Sequence, residues 1–75
     1  MNDNQYNRML LMQLAAFDVL GEFVPPERLG VDVERGTVMM ISCPEQLKPL
    51  AAEDWRIAAE DRGLTDVKLL FIDPI

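Results

Sequence analysis

A single thiol and several paired carboxylates are the groups in this chain whose types could do chemistry. Cys43 stands in Ser42-Cys43-Pro44-Glu45, at the predicted start of a helix. A helix N-terminus can lower a thiol pKa and so favour the nucleophilic thiolate. The 75 residues hold no histidine and no second cysteine. The commonest general base and the commonest metal ligand are therefore absent, and a dithiol pair is excluded. Glu53-Asp54 and Glu60-Asp61 repeat after seven residues, which stacks like acids two turns apart on one helix side. Asp32 and Glu34 share one face of a predicted strand. Oxygen ligands of this kind can hold a hard cation. No loop, however, carries the Asp/Asn-Gly pattern of a calcium site. Glu53, Asp54, Glu60 and Asp61 read as a solvated acidic face, with a basic protein partner or mimicry of nucleic-acid charge as the sharper alternative. Gly21, Gly30, Gly36 and Gly63 are isolated, so no phosphate-cradling loop is formed. The expectation is a protein that is not an enzyme and carries no cofactor and no metal.

The elements that would position these groups follow from periodicity and punctuation. A first helix is predicted near Tyr6 to Leu20, capped by Asn4 or Asn7 and stopped by Gly21, with residues 1–5 disordered. Phe23 to Leu29 is a connector in which Pro26 can open one short helical turn. Val31 and Val33 alternate with Asp32 and Glu34, the period of a half-buried strand. Arg35-Gly36 is a tight turn into a second strand, Thr37 to Ile41, so the pair forms a hairpin. Ser42 and Glu45 have capping-box spacing. Pro49 is expected to interrupt the helix that follows, leaving a short turn at Cys43–Lys48 and a main helix from Leu50 to Arg62, ended by Gly63. Val67 to Ile72 is the last strand, and its helical connection to the second strand implies a parallel, right-handed crossover. The result is a single α+β domain over residues 1–75. Its order is αββαβ, in two layers, with a small mixed three-stranded sheet.

Two surfaces look unfinished in such a fold. In the first helix Val19, Met12, Ala16, Met9, Leu20, Tyr6, Phe17, Leu10 and Leu14 cover an arc of roughly 220°, whereas packing on one sheet needs about 100°. Either the connector and second helix cover the surplus, or a partner does, through Met9, Met12, Ala16 and Val19. In the sheet, Val38 and Met40 share a face with Leu69 and Phe71, and Met39, Ile41, Leu70 and Ile72 point the other way. Helices on one side alone would leave that second row bare. In the second helix Ala51, Trp55, Ala58, Ala59 and Ala52 form the core face. Leu50 and Ile57, seven residues apart, form an outer ridge.

Composition narrows the partners. Apolar residues make up 49% and charged residues 27%, which suits a folded domain. A chain this short buries a small core, and oligomerisation is a common remedy. Thirteen acids against seven bases give a net charge of −6. The bases are scattered, which disfavours nucleic acid and anionic membranes. A lone cysteine and the lack of a long apolar run point to a cytoplasmic setting.

The segment Gly36-Thr37-Val38-Met39-Met40-Ile41-Ser42-Cys43-Pro44, then Leu47 to Arg62, then Val67 to Ile72, resembles small KH-like or initiator-type α/β modules. In the N-terminal interaction domain of the replication initiator DnaA and in the DciA family of helicase loaders, a Gly-Thr-hydrophobic strand likewise runs into a polar turn, an amphipathic helix and a final apolar strand. The resemblance implies a docking platform, in some cases a self-associating one. The Gly-x-x-Gly loop of nucleic-acid-binding KH domains is missing here. The sequence thus predicts a non-enzymatic interaction module or adaptor, a homodimer or the partner of another protein. The alternative is a small acidic, phage-like inhibitor that occupies a basic site on another protein.

Overall fold

The computed structural model describes residues 3–74. Helix α1 spans Asp3–Leu20, a 3-10 turn follows at Pro26–Arg28, and strands β1 (Leu29–Asp32) and β2 (Thr37–Ile41) form the hairpin. A second 3-10 turn (Glu45–Leu47) leads into helix α2 (Lys48–Arg62), and strand β3 (Lys68–Ile72) completes the sheet. The sheet order is β1-β2-β3, antiparallel between β1 and β2 and parallel between β2 and β3. This is the α+β fold with a small mixed three-stranded sheet that periodicity predicted.

Period two in the strands decides which side chains are buried. Val38 and Met40 are fully buried, and the register sets Val38 beside Leu69 and Met40 beside Phe71. Both helices cover this face: Met12, Ala15, Ala16 and Leu20 of α1 and Ala51, Trp55 and Ala59 of α2 share one apolar cluster with Val38 and Met40. The alanines let each helix approach the sheet closely, and Trp55 fills the space beside them. Its indole Nε1 donates to the Val67 carbonyl at 3.3 Å, so the buried ring leaves no polar atom unpaired.

The ends of the elements show local chemistry at work. Gly63 sits just past α2 with φ 72°, and Leu64 N–H donates to Ala59 O at 2.7 Å while Gly63 N–H reaches Glu60 O. That pair of bonds is the Schellman arrangement, and it needs the left-handed conformation glycine adopts without strain. The hairpin loop runs from Val33 to Gly36, which has φ 60°, so Val33 belongs to the turn and not to the strand. Asp32 Oδ1 accepts from Arg35 N–H at 3.2 Å inside it.

Several local expectations are corrected. Asp3, Asn4 and Gln5 are helical, with Asp3 in the first turn where its charge suits the helix dipole. Asn4 and Asn7 therefore lie inside α1 and cannot cap it; Met1 and Asn2 fall outside the described residues. Ser42 takes a left-handed backbone, φ 59°, as the chain leaves the sheet, and no side-chain capping bond forms at the 3-10 turn. The Ser42–Glu45 capping box is therefore not made. Pro49 opens α2 instead of interrupting it, because a helix's first N–H groups have no intrahelical partner to lose. Ala52 is exposed and does not join the core face.

Candidate interaction surfaces

Helix α1 has two apolar faces, and the sheet takes one. Met12 and Ala16 are fully buried, and Val19 packs half-buried against the core. Met9 is half-buried as well. The contact surface expected at Met9, Met12, Ala16 and Val19 is thus the docked side of the helix, and Met12 and Ala16 have no surface to offer a partner. The physical reason is steric: Ala15 and Ala16 beside Met12 form the side that can approach a sheet most closely.

The opposite side is bare. Tyr6 is 52% exposed, Leu10 38%, Leu14 67% and Phe17 45%, and Leu11 lies beside them at 52%. At about 100° per residue, Tyr6, Leu10, Leu14 and Phe17 fall within a stripe roughly 80° wide, set about 150° from the docked face. Sequence reading placed these residues in the apolar arc but assigned the contact to its other half.

The outer face of the sheet carries the row expected for it. Register sets Gly30, Met39 and Leu70 side by side, and Ile41 next to Ile72. Leu70 is half exposed, while Met39, Ile41 and Ile72 are partly covered. Gly30 leaves room there: a Cβ at that position would lie 3.2 Å from the Met39 methyl. Leu50 and Ile57 are both exposed on α2.

The acidic face is less free than its sequence suggests. Arg56 bonds Glu53 through Nε at 3.1 Å and through a second, shorter contact, and reaches Glu60 at 3.0 Å. The guanidinium hydrogen bonds hold the Glu53 carboxyl below the usual glutamate range. Asp61 is exposed and Asp54 half-buried. Elsewhere Arg62 pairs with Asp18 at 2.8 Å and Arg8 with Asp66, which ties α1 to α2 and to the approach to β3.

Cys43 is 5% exposed and its thiol donates to the Pro44 carbonyl at 3.6 Å. Burial pushes its pKa up, against the lowering by Lys48 nearby. A raised thiol is a poor nucleophile. Lys48 bridges Glu45 (2.8 Å) and Asp73 (2.6 Å) and lies 5.7 Å from the centre of the Phe71 ring. Its pKa is raised by the bonds to Asp73 and Glu45. This cluster locks the end of β3 to the start of α2. Among the described residues no group of three or more His, Cys, Asp or Glu is placed to hold a metal, and no helix is long and apolar enough to cross a membrane.

Comparison with known protein families, with curated proteins and with solved structures finds no match to this chain.

Proposed function

We propose that this domain is a non-enzymatic protein-interaction module that associates with a second copy of itself through the bare side of α1. The observation that carries the reading is the stripe Tyr6, Leu10, Leu14 and Phe17, left exposed after α1 has satisfied the sheet with its other face. The stripe reads nearly the same in both directions: aromatic, leucine, leucine, aromatic. A two-fold axis requires such self-complementarity, since each residue must suit its own counterpart. In an antiparallel pair, Tyr6 of one chain meets Phe17 of the other across the leucines. Between Asp3 and Asp18 the one charged side chain of the helix is Arg8, which is occupied by Asp66. Two chains of net charge −6 repel, so contact is favoured where charge is lacking.

Area sets the strength. An aromatic side chain carries about 150–250 Å², so the five exposed side chains together leave on the order of 400 Å² bare. Two copies would bury roughly 800 Å² from these alone, below the ~1,200–2,000 Å² of stable complexes. The pairing is therefore a reversible one, tuned by concentration. A docking role also agrees with what the resemblance to initiator-type modules implies.

Light scattering on a sizing column, over a dilution series, tests the reading. The wild-type chain should pass from dimer to monomer as it is diluted. Leu14→Lys should be a monomer throughout with an unchanged far-UV circular dichroism spectrum. A wild-type monomer at millimolar concentration would refute self-association.

A further inference from the structure

We propose that the free edge of β3, together with the groove between it and α2, accepts an extended, basic peptide segment of another protein as a fourth strand. The inference rests on the reading of the domain as an interaction module but uses a different surface from the α1 stripe.

The backbone supplies the first half of the case. Lys68 N–H donates to Gly36 O, and Ile72 O accepts from Ser42 N–H, so these residues point their polar groups at β2. By alternation Leu70 does the same, and Leu69 and Phe71 direct their N–H and C=O groups to the opposite edge. Among the described residues no strand pairs with that edge. One residue earlier, the outward carbonyl of Val67 is taken by the Trp55 indole, which marks where the free edge begins. Two donors and two acceptors at alternate residues are matched by an extended strand and by little else.

The groove supplies the second half. A concavity of about 290 Å³ lies between one side of α2 and the segment that enters β3, with Ala52, Trp55, Arg56, Glu60, Val67 and Leu69 on its walls. Cavities that enclose a small-molecule ligand run from about 300 to 1,000 Å³, so this one suits one or two side chains. Residues directly opposite in paired strands share a face. The incoming residue opposite Leu69 therefore points its side chain into the groove, and its neighbours point away. Lys68, the one charge on β3, belongs to the row that faces away from the groove.

Charge selects the occupant. Glu60 and Arg56 stand on the groove wall, where Arg56 pairs with both Glu53 and Glu60, so this cluster keeps one acid in excess, and the chain carries −6 in total. Pairing β3 with β3 of a second copy would bring together two chains of net charge −6, each with the same excess acid beside its groove. A strand alternating apolar residues with Lys or Arg meets the edge without that repulsion and gains from the acids.

The probe is the peptide acetyl-Lys-Val-Lys-Leu-Lys-Val-Lys-amide, titrated into the ¹⁵N-labelled Leu14→Lys variant, so that loss of self-association cannot be mistaken for loss of peptide binding. Amide shifts and slowed hydrogen exchange are expected at Leu69 and Phe71, with Lys68, Leu70 and Ile72 exchange unchanged, and the emission of Trp55, the single tryptophan, should move. The same peptide with Glu in place of Lys should bind at least tenfold more weakly. Ala52→Phe, a substitution at an exposed site, should fill the groove and weaken binding at least tenfold while leaving the circular dichroism spectrum intact. Equal binding of the acidic peptide overturns the choice of occupant. Shifts that miss β3, or no binding at millimolar peptide, overturn the site. Leu69 and Phe71 amides already protected in the free chain and released on dilution would assign the edge to a second copy instead, and also overturn the proposal.

Discussion

Helices α1 and α2 do the same work on the same sheet face, yet their outer sides differ. Each presents alanines to the core: Ala15 and Ala16 from α1, Ala51, Ala58 and Ala59 from α2. Outside, α2 shows Glu53, Arg56 and Glu60, laced by ion pairs, and an exposed Asp61, with Leu50 and Ile57 as a short exposed apolar ridge. The outer side of α1 shows Tyr6, Leu10, Leu11, Leu14 and Phe17. The outer side of α2 is thus mostly charged, with two exposed large apolar side chains against five on α1. The apolar surplus on α1 is the surface that the proposed self-association would cover.

Substitutions on the two sides of α1 should break this comparison most sharply. Met12→Asp would place a charge at a fully buried site, where an uncompensated ion costs several kcal/mol, about the whole stability of a small domain. Loss of the cooperative thermal transition is expected. Leu14→Asp, two residues away, should keep that transition within about 0.5 kcal/mol, as surface changes do. If the two variants behaved alike, the division of α1 into a docked and a bare side would be wrong.

The two helix ends offer a smaller contrast. A Cβ on Gly21 would lie 2.5 Å from the Phe17 carbonyl oxygen, whereas nothing lies within 4 Å of one on Gly63, whose φ is 72°. Gly63→Ala should cost about 1–2 kcal/mol, from backbone conformation alone. Gly21→Ala should cost more, on the order of 2–3 kcal/mol, because backbone must move. Urea denaturation of both variants measures the order directly.

Ile57→Lys tests α2 in its turn. Its expected effect on stability is under about 0.5 kcal/mol, and the dimer dissociation constant should not change. A change in that constant would extend the interface onto α2.

The smallest effect concerns pH. Arg56 holds Glu53 below its ordinary pKa of about 4.3, so the folded state favours the ionised carboxylate. The stabilisation is present above that value and fades as pH falls through the lower folded one. Glu53→Gln should lessen the acid loss of stability below about pH 4 and flatten that limb slightly. A pH series of melting curves would show it.

Much of the fold was legible because it rests on local rules. Val38 and Met40 alternate with Met39 and Ile41, Gly36 and Gly63 mark turns that need positive φ, and Pro26 opens a short turn. What was not legible was phase. Periodicity defines the apolar arc of α1 but not which part meets the sheet, since that depends on how closely each side can approach. The alanine pair beside Met12 was the available signal, and it is the same signal that located the core face of α2. The left-handed backbone at Ser42 had no sequence mark, because the path from sheet to helix imposes it on a residue that does not prefer it. The outer row of the sheet followed from alternation, but the partial cover of Met39, Ile41 and Ile72 did not.

The central claim is that the bare side of α1 meets its own copy in antiparallel orientation. Isotope-filtered nuclear Overhauser spectroscopy on an equal mixture of labelled and unlabelled chain, at millimolar concentration, tests it most directly. The account predicts contacts between chains from the Tyr6 ring to Phe17, and from Leu10 to Leu14, with none to Met12 or Val38. Contacts between chains confined to Met39, Leu70 and Ile72, or the absence of any, would contradict it.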